Sequence, residues 1–87
     1  MRPGPRDQLA ALLPIRERVL GPEHPDTLTT RHNLAYWTGE AGDAAEARDQ
    51  FAALLLISER ILGPEHTHAL NTRHQLAYWT EQIQQHD

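Results

Sequence analysis

The sequence predicts an all-α fold, four helices arranged as antiparallel helix-turn-helix repeats of an α-solenoid. Three observations predict it. Residues 6–38 recur 42 residues later as 48–80, with 24 of the 33 aligned positions identical, and a period of that length marks stacked supersecondary units. Apolar residues fall at steps of three and four, which is one face of a helix, and no alternating strand pattern competes. Gly21-Pro22 and Gly63-Pro64 stand at equivalent places in the two copies. Each ends a helix, because Gly accepts the left-handed residue beyond a C-terminus and Pro cannot continue the turn.

The expected helices span about 5–20, 26–39, 43–62 and 67–84. The first carries Leu9, Leu12, Leu13 and Leu20 on one face. Pro14 is its odd residue: the counterpart Leu56 lies mid-helix, so Pro14 is expected to kink the first helix by losing the bond to Ala10 and crowding its carbonyl. The second helix shows Leu28, Leu34, Ala35, Trp37, Thr38 and Ala41 to the core, with the small Ala35 allowing a neighbour to approach and Ala77 repeating the device. Asp43 and Glu46 read as a capping box that starts the third helix, which makes residues 39–42 a tight connection. Ala47, Phe51, Leu54, Leu55, Ser58, Ile61 and Leu62 form the third helix's broad core face. At the start of the fourth, His68 stands where the first copy has Asp26. A helix N-terminus favours a carboxylate over a cation there, so Thr67 is expected to take the cap.

Composition narrows the class further. With 87 residues, the chain amounts to one domain that hides about 60 to 65% of its unfolded surface, so the core is thin. The formal charge of −4 comes from eight Arg against twelve acidic residues, with no Lys. The basic residues are scattered, which argues against a phosphate-binding face and hence against nucleic acid. Met1-Arg2-Pro3-Gly4-Pro5 lacks the apolar core of a secretory leader, there is no cysteine, and no apolar run is long enough for a bilayer. The expectation is a cytoplasmic protein without a membrane partner. Abundant Ala, Arg, Gly and Pro with no Lys fits a GC-rich coding sequence and thus a bacterial source.

The run Asn33-Leu34-Ala35-Tyr36-Trp37-Thr38-Gly39, followed by Asp43-Ala44-Ala45-Glu46-Ala47 and Phe51, resembles a tetratricopeptide repeat. Leu34 and Ala35 match that family's Leu/small pair, Ala47 its second-helix alanine and Phe51 its aromatic. The 42-residue period and the connection Leu20-Gly21-Pro22-Glu23-His24-Pro25-Asp26 are similar to the long variant of kinesin light chains and of sensor regions in bacterial signalling ATPases. Thr38 and Thr80 depart from the family's usual Tyr, and Leu54 from its late alanine.

The resemblance implies a protein–protein interaction module whose first-type helices line a concave groove for a peptide or partner helix. The groove positions map onto Thr29, His32, Asn33 and Tyr36, and in the second copy onto Asn71, His74, Gln75 and Tyr78. Their chemistry suits the role: amides pair with a peptide backbone, while Tyr and His offer flat apolar faces with polar tips. The plainer alternative is a set of solvated polar residues on a helix face.

Other chemistries are poorly supported. His66, His68 and His74 near Glu65 have metal-ligand character, yet His24, His32, His66 and His74 are two repeat positions seen twice, and a Zn²⁺ site needs three or four converging ligands. No metal and no cofactor are expected. The one serine, Ser58, faces the core, and the chain lacks Cys, Lys and a Gly-rich phosphate loop, so no catalytic residue is assigned. Pairs such as Glu23/His24 and Glu65/His66 belong to a turn that the repeat itself requires.

The phase of the repeat adds one expectation. In family terms the four helices run B-A-B-A, so only residues 26–62 form a complete unit. Leu9, Leu12 and Leu13 at one end and Leu76, Trp79 and Ile83 at the other are expected as self-association faces, giving a homo-oligomer by head-to-tail stacking or by helix exchange through 39–42. The alternative is a purely structural terminal fragment of a longer sensor array, natural or built from a consensus, with the polar segment 81–87 as its cap.

Overall fold

The computed structural model describes residues 3–85. Met1 and Arg2 at the expected non-leader segment, and His86 and Asp87 at the expected polar cap, lie outside them. Four helices follow one another: α1 (Pro5–Leu20), α2 (Pro25–Glu40), α3 (Ala44–Leu62) and α4 (Thr67–Gln85). Each packs on the next, and α2 also touches α4 across α3. Among the described residues there is no strand. The fold is thus the expected all-α helical repeat.

Local signals set the boundaries. Gly21 and Gly63 adopt φ of 96° and 95°, a region open to Gly without a Cβ clash, and their N–H groups close α1 and α3 on the carbonyls of Glu17 and Glu59, each at 3.1 Å. The repeated histidines do the opposite job. The Asp26 N–H donates to Nδ1 of His24 at 3.1 Å and the His68 N–H to Nδ1 of His66 at 3.0 Å, so an imidazole fills the capping role that Ser or Asp usually plays. His66, and not Thr67, caps α4. The Glu46 N–H donates to Asp43 at 3.2 Å, but the Glu46 carboxylate accepts from Gln50 at 3.1 Å instead of turning back. Half of the expected box forms.

One expected boundary shifts, and one expected span holds. The helix α2 runs through Gly39 to Glu40, which leaves residues 41–43 as the connection. The first helix continues through Pro14 to Leu20. Ala10 and Pro14 are both exposed, so a carbonyl without its helical donor is turned to water, where the loss is least costly.

The core lies around α3, which packs against both α2 and α4. Phe51, Ala47 and Ala35 are fully buried and Trp79 is 5% exposed, with Ala44 and Leu76 packed against them. Leu28 and Leu54 are buried as well. Several buried threonines satisfy their hydroxyls within their own helix: Thr30, Thr38 and Thr72 each donate to the carbonyl four residues earlier, at 2.9, 2.7 and 2.8 Å. Those internal bonds satisfy a polar group without a partner helix, so the threonine methyl can pack. The helix α1, covered by α2 alone, has no buried residue. Trp37, Ala41 and Ile61 were expected in the core and are exposed. Trp37 and Ala41 face the start of α1, where they border an open depression with Gly4, Pro5, Arg6 and Asp7.

Candidate functional site

The seam between α2 and α4 holds two depressions. The first, of about 180 Å³, is lined by Thr29 and His32 from α2 and by His68 and Asn71 from α4. The second, of about 270 Å³, includes Gly39, Glu40, Tyr78, Trp79 and Gln82. Helical spacing explains the grouping, since positions three apart share a face. Thr29 and His32 are one such pair, and His68 and Asn71 another.

The imidazoles are held firmly. The His32 ring meets Phe51 edge-on at 5.0 Å between centroids and His68 edge-on at 5.7 Å. Ser58 and Nδ1 of His68 are hydrogen-bonded at 3.0 Å. Burial pushes the pKa of His32 down, and neighbouring His68 adds to the effect. Burial likewise lowers that of His68, with His66 contributing and the Leu28 backbone opposing. Both rings are therefore neutral near pH 7, and Nε2 of each is buried without a hydrogen-bond partner. The depression offers a hydroxyl, an amide and two uncharged rings, which suits polar uncharged groups such as a peptide backbone.

Ser58 next to His68 has the composition of a nucleophile and base, but Ser58 is fully buried. No substrate atom can reach its hydroxyl, so the bond is structural. His66 is committed to its cap and His68 to Ser58, and among the described residues no group of three or more His, Cys, Asp or Glu is placed to hold a metal ion. No described helix is long and apolar enough to cross a membrane.

The expected groove residues divide. Thr29, His32 and Asn71 converge on the first depression, and Tyr78, 47% exposed, borders the second. Gln75 is half-buried on α4, with its side-chain oxygen unpaired. Tyr36 is exposed beside Trp37, ring edge to ring face at 5.2 Å, as Tyr78 is beside Trp79 at 4.8 Å. Asn33 lies elsewhere, in a depression between α1 and α2 with Leu9, Leu12 and Arg16. His74 stands exposed on α4 outside all three. His68 is the participant that sequence reading missed. Its signal was present: Arg16/Ser58 and Asp26/His68 differ together between the copies, and they are contact partners in both.

The end faces also need one correction. Leu9, Leu12 and Leu13 on α1 and Leu76 and Ile83 on α4 are half-buried, with part of each surface still open. Trp79 belongs to no open face. It fills the space over Gly39 inside the molecule.

Comparison with curated proteins finds no match. A family model described as tetratricopeptide repeat matches residues 6–53, more than half of the chain. Those residues include the whole of α2, the connection and the first half of α3, the elements that set the unit's packing. On that match and on the four-helix repeat fold, the chain belongs to the tetratricopeptide repeat family.

Proposed function

We propose that the seam between α2 and α4 receives a peptide segment or one face of a partner helix. As a tetratricopeptide repeat, the chain is a protein–protein interaction module, of a kind that is typically non-catalytic. The observation that carries the finer reading is the pairing of chemistries along one seam. Neutral His32 and His68 with Thr29 and Asn71 stand at one end, and the open Tyr78 ring beside Trp79 at the other. Polar uncharged groups at one end can pair with a peptide backbone, and an aromatic face at the other gives apolar area at low entropic cost.

Selection of binders from a random peptide library on the immobilised chain tests this, followed by titration of one selected peptide. Asn71→Ala and Tyr78→Ala are expected to weaken it by roughly tenfold or more each, as loss of contact residues does. Asn33→Ala and His74→Ala, which lie off the seam, are expected to leave it unchanged. Enrichment of no peptide, or a loss confined to Asn33 and His74, would sink the assignment.

Self-association has narrower support than the sequence implied, because Trp79 is already consumed within the fold. Leu76 and Ile83 remain as the apolar side chains of the expected α4 face.

A further inference from the structure

Trp37 and Trp79 are one repeat position in two surroundings. Trp79 lies over Gly39 so closely that a Cβ at that position would meet its ring carbons at 2.4, 2.5 and 2.7 Å, where ordinary contact begins at 3.4 Å. Only glycine fits. Trp37 is 39% exposed, and its cleft is bordered by Gly4, Pro5, Arg6 and Asp7 with Glu40 and Ala41 of its own helix. Its partner glycine would have to come from another helix of the same type.

The repeat tells which residue that would be in a second copy. A copy stacked on α4 by the step that relates α4 to α2 would bring its Trp37 onto the residue 42 positions after Gly39. That residue is Glu81. Its Cβ would occupy the space the indole needs, and its carboxylate would be pressed under an apolar ring away from water. Two other contact positions of α4 offer no such obstacle. Leu70 and Ala77 match Leu28 and Ala35 of α2, which are fully buried in the internal joint, and Leu70 is 40% exposed.

We propose that position 39/81 is the specificity switch for end-to-end addition of this chain. Gly39 makes α2 a seat for the tryptophan of the following repeat, and Glu81 closes α4 to a second copy in repeat register. Polarity elsewhere on α4 is not what prevents stacking. On α4 itself the obstacle is one side chain, and removing it relieves the clash with the incoming indole.

Sedimentation equilibrium over a wide concentration range tests this, with far-UV circular dichroism confirming helicity. Glu81→Gly is expected to raise the average mass above the 9.9 kDa of the single chain, with association roughly tenfold or more tighter than in Glu81→Ala, which keeps the Cβ. Adding Trp37→Ala to Glu81→Gly is expected to reverse the gain. In the wild-type chain Trp37→Ala is expected to leave the mass unchanged, an arm that requires no alteration of α4. The proposal is overturned if Glu81→Gly associates no better than Glu81→Ala, or if wild-type oligomers dissociate on Trp37→Ala.

Discussion

The Ser58 hydroxyl stands 3.0 Å from Nδ1 of His68, at the two repeat positions where Arg16 and Asp26 form an ion pair at 3.8 Å. A charged pair in one copy is a neutral pair in the other. The location of the helices explains it. Arg16 projects from α1, which has α2 alone for a neighbour, and remains 34% exposed, whereas Ser58 is fully buried on α3 between α2 and α4. A guanidinium at position 58 would lose its water on both sides.

The exchange of one pair for the other is therefore expected to fail. Ser58→Arg with His68→Asp should lower the free energy of unfolding by about 3 kcal/mol or more, through overpacking and charge burial. Ser58→Ala, which removes one hydrogen bond and leaves a cavity of one oxygen, should cost about 1 kcal/mol. Denaturant titration measures both. A double exchange as stable as the wild type would show that the two environments are equivalent.

Acid should weaken the fold through the same cluster. His32 and His68 have lowered pKa values in the folded chain, each chiefly through burial, while the unfolded chain takes up protons near the ordinary 6.5. The unfolded state then binds more protons, so the contribution of neutral imidazoles is complete above about 6.5 and is lost as pH falls through the lower folded values. The melting temperature is expected to hold between about pH 8 and 7 and to decline below about 6.5. His32→Gln with His68→Gln should flatten that decline. An undiminished slope in the double variant would assign the acid sensitivity to other groups.

Gly39 should reverse a general rule. Gly to Ala inside a helix ordinarily stabilises by about 1 kcal/mol, but at position 39 the added methyl would collide with the Trp79 ring. Gly39→Ala is expected to cost about 2 kcal/mol, the usual range for overpacking. In a Trp79→Ala background the same change should become neutral or favourable, and thermal unfolding of the four proteins gives the coupling. Additive effects would mean that the two residues do not meet.

Much of the fold was legible because its signals are local. Gly-Pro pairs, the Asp43 cap and apolar spacing depend on residues within one or two turns, and they put α1 to α4 close to their observed limits. The expected groove positions Thr29, His32 and Asn71 were legible from the family's pattern, and the structure brings them together. Other assignments required knowledge of what covers each helix. Trp37 and Trp79 have nearly identical flanking sequence, yet one is 39% exposed and the other 5%, since only Trp79 has Gly39 beneath it. Four of the histidines were read as two repeat positions seen twice, while His24 and His66 cap helices through Nδ1 and His68, outside that set, reaches the seam. An imidazole's role follows from which nitrogen finds which partner, and that is set by packing.

By itself, the sequence determined the helices, their order, their period and the family, because each rests on backbone preference and on a pattern repeated within the chain. The tertiary structure decided which member of each repeated pair does what. Two 33-residue stretches that share 24 positions acquire different roles because α3 is enclosed on both sides and α1 on one, and burial fixes whether a shared side chain is core or contact surface. Gly39 is the clearest instance. In the sequence it is a helix breaker near a turn, and in the structure it is the seat of Trp79.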